Sequence, residues 1–410
     1  MKNAYFLIDT PQTNMTYAEL LDSLCKTHSQ FKTTVQEKSL SELFKAILVS
    51  LLHDQPITLL DSDFSEAEIK ALISDEERHH TTPLLPLANL GSVDELIQKL
   101  SQSKQWRLGL FTSGTTGIPK RVSHSLNTLT RGIKQGPKFA NNVWGLAYNP
   151  THIAGIQVFL QAVLNGNPLV NLFGKAPADI LNLLDTHGIT HLSATPTFFR
   201  LLLPTEREFP QVQRLTFGGE KFDAGLLPAL KKVFPNAKMT NVYASTELGS
   251  ILAADGDVFS LKDDQKHLIK IEDNLIWVHE DLLAQSETAI TQNGWYKTGD
   301  RIEVITESPL TFRFMGRDTD LINVGGNKVN PTEVEEALLA LPDITAAHVY
   351  GKPNSVLGTV LCCDVVSAVP VSEKTIRLFL KDRLQPFKIP RFIQQIPTLS
   401  TTRTGKIRRS

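Results

Sequence analysis

Cysteine is scarce: Cys25, Cys362 and Cys363 are the whole supply in 410 residues. An odd number without metal-ligand spacing gives neither a disulfide framework nor a zinc site, and a reducing cytoplasm is the expected compartment. Cys362 and Cys363 fall in the apolar run 360–366, which reads as a strand carrying them on opposite faces rather than as a redox pair. An excess of charge is also lacking. Lys plus Arg number 42 against 43 for Asp plus Glu, so nothing calls for nucleic acid or an anionic membrane as partner. Long apolar runs are missing too. The N-terminal stretch that ends at Asp9 is too short for a signal segment or a membrane span, and nothing later is long enough either. Repeats and low-complexity segments are absent.

What is present begins with a composition of 41% hydrophobic and 21% charged residues, ordinary for a globular chain, in a length that calls for two domains. Segment 112–120 reads TSGTTGIPK and follows 106–111, whose alternating apolar residues predict a strand. Gly114 and Gly117 tolerate positive φ and expose backbone N–H groups. Thr112, Ser113, Thr115 and Thr116 add hydroxyls, and Lys120 adds a positive charge. These are the parts of a loop that wraps a nucleotide triphosphate. Taken alone, the segment is equally an ordinary surface turn.

Around this loop the chain alternates between two periodicities. Helical spacing runs over 16–23, 39–52, 65–74, 125–133, 156–164, 177–186 and 196–203, and strand patterns over 56–61, 144–148, 168–173, 191–194, 214–217 and 241–244. Small or polar loops follow several strands, including those with His152, with Gly218, Gly219 and Glu220, and with Ser245, Thr246 and Glu247. Connections at the carboxyl ends of strands form the ligand crevice of an open α/β sheet. The loops at 112, 218 and 243 are therefore expected along one edge of a single sheet. From about 255 to 315 short alternating runs predict a β-rich subdomain. The expected fold class is α/β: a large N-terminal domain, 1–316, of layered α/β subdomains plus the β-rich one, a hinge at 317–319, and a small mobile α+β C-terminal domain, 320–410.

This succession of motifs resembles the adenylate-forming superfamily of acyl-CoA synthetases, peptide-synthetase adenylation domains and luciferases. Segment 112–120 is similar to its phosphate-binding signature, 243–247 to Tyr-Gly-x-Thr-Glu, 296–300 to Tyr-x-Thr-Gly-Asp, 316–336 to the hinge and small-domain signature, and 404–408 to the terminal Gly-Lys signature. They occur in the family's order and cover residues 105–410. A Walker loop fits poorly, because Lys120 lies three residues beyond Gly117 without a GK[ST] element.

The resemblance implies roles residue by residue. Thr112, Ser113, Gly114, Thr115, Thr116, Gly117 and Lys120 would hold the β- and γ-phosphates of ATP. Gly218, Gly219 and Glu220 would border adenine, with Tyr243 stacking on it. Thr246 would contact the α-phosphate, Glu247 would ligate Mg²⁺, and Asp300 and Arg317 would meet the ribose. Lys406 would reach the site from the small domain and bridge the two anions that meet when a carboxylate attacks the α-phosphorus. The acid pocket is expected near His152, Phe217, Ala244 and Ser245, and Gly325 and Gly326 would border a pantetheine tunnel.

Three features depart from the family pattern: Ala244 in place of glycine, Thr319 at a hinge position usually Asp or Lys, and a short region before the glycine loop, as in the shorter o-succinylbenzoate-type ligases. The 149–155 loop lacks the aspartate that pairs a substrate ammonium, so an aryl or acyl acid without an α-amine is expected. The leading expectation is formation of acyl-AMP and then a thioester on CoA. Loading of an acyl carrier protein is the alternative, and a non-catalytic AMP-binding protein the reading of another class. The oligomeric state stays open.

Overall fold

Strands buried on both faces read as continuous apolar runs, and such runs build the largest sheet. The computed structural model describes residues 5–9, 13–26, 30–84, 90–112, 120–222, 224–286, 289–317, 320–324, 327–354 and 358–399. Among these, eight strands lie side by side in the order Gly249–Ala254, Lys238–Ser245, Arg214–Phe217, His191–Ala194, Trp144–Leu146, Leu169–Asn171, Tyr5–Asp9 and Thr13–Thr16. The inner six run parallel, and the two edge strands antiparallel. After Trp144–Leu146 the chain adds Leu169–Asn171 on one side and then His191–Ala194 on the other. That reversal makes a topological switch point, where loops leave in opposite directions and open a crevice.

A second sheet has the order Gln285–Ser286, Lys120–Ser125, Arg107–Thr112, Ile57–Leu59 and Thr34–Val35. Here the structure corrects the expectation of a single sheet edge, since the glycine loop belongs to this sheet while the loops at 218 and 243 belong to the first. The reason is local: residues 120–125 turn back antiparallel on 107–112, with Thr112 opposite Lys120. Ser125 ends this strand, and the helix expected at 125–133 is limited to Leu126–Thr130. Helix Leu40–Leu52, capped by Ser39, buries Leu43, Phe44, Ile47, Leu48 and Leu51. Its Phe44 stacks on Phe159 at 4.1 Å, which joins the two sheets' helical layers into one core.

The β-rich subdomain is present as expected, built on the long strands Trp295–Glu307 and Leu310–Arg317 around Phe259, Ile276, Val278 and Phe312. The C-terminal unit has its own core, in which helices Pro331–Leu339 and Glu373–Lys381 cover strands Ile344–Asn354, Gly358–Ser367 and Phe392–Gln395. Cys362 and Cys363 are buried neighbours in one of those strands. No helix among the described residues is long and apolar enough to cross a membrane.

Candidate active site

The segment 113–119 lies outside the described residues, but its ends are placed. They are paired across an antiparallel ladder, so the glycine loop closes a hairpin, whereas a Walker loop leads from a strand into a helix. Lys120 opens the return strand. Gly325, Gly326, Thr319 and Lys406 also lie outside the described residues.

Thr246 and Glu247 sit at the tip of another hairpin, because strand Lys238–Ser245 returns as Gly249–Ala254 with Ser245 opposite Gly249. Gly249 has φ +68°, and a Cβ there would lie 3.3 Å from the Thr128 carbonyl oxygen, so the turn suits glycine. The Ala284 N–H donates to the Glu247 carbonyl at 2.8 Å. Residues 285 and 286 then pair with Ser123 and Val122, on the strand that Lys120 opens. One main-chain hydrogen bond and one short strand thus bring Glu247 beside the glycine hairpin, although they belong to different sheets. His124 lies under this junction, fully buried and without a hydrogen bond of good geometry, facing the Thr246 main chain.

Tyr243, Asp300 and Arg317 form a connected cluster. The Tyr243 hydroxyl donates to Asp300 Oδ2 at 2.5 Å, and Arg317 Nε donates to Asp300 Oδ1 at 3.1 Å. The register explains the meeting, since Asp300 stands opposite Arg317 on adjacent strands. Burial and the adjacent Asp300 carboxylate push the Tyr243 phenol well above its ordinary pKa, so it stays a neutral donor. Burial works against the Arg317 guanidinium, but Asp300, Tyr243 and Glu247 together hold its pKa above the usual value. One face of the Tyr243 ring stacks on Phe314 at 4.2 Å.

The Gly218 to Glu220 turn is fixed from two sides. The Tyr148 hydroxyl donates to the Gly218 carbonyl at 3.2 Å, and Glu220 Oε2 accepts from the Thr197 N–H at 3.0 Å. Gly219 has φ +83°. Of the residues expected near the acid pocket, Ala244 and Ser245 end their strand half-buried beyond a bulge. The Phe217 ring is shut in the core between Phe199 and Phe222. His152, just before helix Ile153–Val163, follows the central strand at the switch point and lies 3.5 Å from the buried carboxylate of Asp61. Sequence reasoning missed Asp61, His124, Tyr148 and Phe314, each of which meets a partner far along the chain that leaves no local pattern.

Among the described residues no group of three or more His, Cys, Asp or Glu could hold a metal by itself. Glu247 offers a single carboxylate, which fits a hard cation that takes its other ligands from phosphate oxygens and water.

Comparison with known proteins bears on the whole chain. Residues 13–269 match the family profile described as AMP-binding enzyme, and residues 333–406 that of the AMP-binding enzyme C-terminal domain. The 2-succinylbenzoate–CoA ligase of Staphylococcus aureus (strain MSSA476) is 27% identical over 326 residues, which covers 73% of this chain. The chain spans 65% of the length of that relative. Among solved structures, o-succinylbenzoate CoA synthetase (MenE) from Bacillus subtilis, in complex with the acyl-adenylate intermediate OSB-AMP, superposes with a TM-score of 0.72 at 21% identity, covering 99% of this chain and 94% of that one. ATP-bound MatB from Rhodopseudomonas palustris gives a TM-score of 0.74 at 16% identity with the same coverage. Both share the fold.

Proposed function

The chain belongs to the AMP-binding enzyme family, and from that membership we propose that it activates a carboxylic acid with ATP and transfers the acyl group to CoA. In the first step a carboxylate oxygen attacks the α-phosphorus and the bond to the β-phosphate breaks, giving acyl-AMP and pyrophosphate. In the second the CoA sulfur attacks the acyl carbon and AMP leaves. The observation that supports this reading is the set of contacts that joins Tyr243 and Arg317 through Asp300, together with the Ala284 to Glu247 hydrogen bond that leads into the strand paired with 120–125.

Asp300 exchanges its protein donors for ribose hydroxyls, and Tyr243 and the Gly218 to Glu220 turn border the base. Glu247 would hold Mg²⁺, which would supply charge neutralisation on the phosphates. Lys406 meets the α-phosphate from the small domain, hinged at 317–319, and the Gly325 and Gly326 segment replaces it in the second step. The acid is an aryl or acyl acid without an α-amine, the class to which the succinylbenzoate acted on by the relatives belongs.

A groove of about 780 Å³ in the small domain supports CoA as the acceptor. Val324, Leu361 and Phe387 line it together with Lys374, Lys381 and Arg391, which have no carboxylate partner among the described residues. Val324 is next to Gly325. Apolar surface with free cations suits a nucleotide carrying phosphates.

The test is pyrophosphate release with Mg-ATP and a panel of aryl and acyl acids, followed by addition of CoA or of a phosphopantetheinylated carrier protein. Release with some acid and thioester on CoA are expected. Silence across the panel would sink the enzyme reading, and thioester formed on the protein alone would replace CoA as acceptor.

A further inference from the structure

Asp61 comes from the stretch of chain before the glycine loop, where the sequence shows no chemistry, yet it reaches the crevice. It follows strand Ile57–Leu59 and its side chain is 5% exposed. Oδ1 accepts from the Asp63 N–H at 3.0 Å, and Oδ2 accepts from the Asn149 amide at 3.0 Å while facing His152 Nε2 at 3.5 Å. Asn149 Oδ1 in turn accepts from the Thr151 N–H and hydroxyl at 2.9 and 2.8 Å. Gly155 packs so close below that a Cβ would lie 2.2 Å from the Asn149 carbonyl oxygen. The 149–152 loop is therefore a stiff frame that presents a buried carboxylate to one edge of the imidazole.

The His152 side chain keeps 22% exposure against 5% for Asp61, so part of the ring reaches solvent. A buried carboxylate against one ring nitrogen fixes the ring plane and assigns the proton to that nitrogen. Nε2–H then addresses Asp61, and Nδ1 is left for a ligand at the switch point. We propose that Asp61 is a positioning residue for the acid substrate: it orients His152 so that Nε2 is held on the Asp61 carboxylate behind and Nδ1 faces the incoming acid in front. The proposal rests on the adenylate-forming reading.

The experiment compares wild type with Asp61→Asn, which keeps the size of the side chain and removes its charge. With an acid that supports pyrophosphate release, the KM for the acid should rise at least tenfold in the variant while the KM for ATP stays within twofold. An unchanged acid KM overturns the proposal. Equal rises in both KM values reveal a purely structural role and overturn it as well. A second measurement does not depend on turnover. In protein labelled with ¹⁵N-histidine, the His152 signal, assigned by its loss in His152→Gln, should report the Nε2–H tautomer in wild type and a redistribution in Asp61→Asn. An identical His152 signal in both proteins overturns the proposal. Wild-type silence towards every acid removes the adenylate-forming reading instead, while the ¹⁵N result still decides whether Asp61 orients the ring.

Discussion

Two buried histidines make stability depend on pH in a direction that follows from their surroundings. Burial drives the His124 pKa down to about 4, against the opposing effect of the Thr246 main chain and with Arg131 adding to the shift, and burial likewise brings His191 to about 4, with Arg214 adding to the shift. Both are neutral in the folded protein at neutral pH, whereas an unfolded histidine titrates near 6.5. The folded pKa values are depressed, so the unfolded chain binds more protons between about 6.5 and 4. The stabilisation is complete above pH 6.5 and is lost as pH falls through that window, by up to about 1.4 kcal/mol per pH unit for each imidazole. Urea midpoints at pH 7, 6 and 5 should show it, and His124→Asn should flatten the wild-type slope. A variant slope equal to that of wild type would mean that His124 already titrates normally in the folded state. Neither residue announces this in the sequence, because a histidine on a strand looks the same whether its neighbours are water or the underside of a turn.

At the scale of elements, legibility followed periodicity. Helices Pro177–Thr186 and Pro196–Leu201 and strands His191–Ala194 and Arg214–Phe217 lie where spacing places them, since each is long enough or apolar enough for its period to speak. Strand Lys120–Ser125 was not legible: its run KRVSHS has one strongly apolar residue, and it is a strand because Arg107–Thr112 offers it a ladder. That one element decides which sheet carries the glycine loop and so how the site is joined. The motifs named the residues of the site, but the short strand Gln285–Ser286 that ties the Glu247 turn to the hairpin had no signature at all. Its importance is testable. Ala284→Pro removes the N–H that donates to the Glu247 carbonyl, which costs on the order of 1 kcal/mol of local structure. The KM for Mg-ATP should rise severalfold with a small loss of thermal stability, read by pyrophosphate release and a melting curve. An unchanged KM would show that the turn keeps its place without this tether.

At the scale of the molecule, the large and small units touch at groups that neither core requires. Asn330 Nδ2 donates to the Met315 carbonyl at 2.5 Å across the joint, while Asn330 Oδ1 accepts from the Thr332 N–H at the start of helix Pro331–Leu339. Farther out, Lys221 Nζ stands 2.5 Å from Glu336 Oε1 on that helix. Lys221 follows Glu220 directly, so one residue separates the turn proposed to border adenine from the small domain. Both side chains are partly exposed, 28% and 49%, and such a pair contributes at most about 1 kcal/mol. That is negligible for folding but amounts to a factor of about five in the balance between two domain arrangements. Lys221→Glu and Glu336→Lys should each shift the ratio of pyrophosphate release to thioester formation by up to about fivefold in the same direction. The double variant, which restores the pair with its charges exchanged, should return the ratio towards wild type. High salt should move the wild-type ratio the way the single variants do, because an exposed pair is screened. If both single variants and the exchange keep the wild-type ratio, the arrangement joined by this pair is not one that limits either half-reaction.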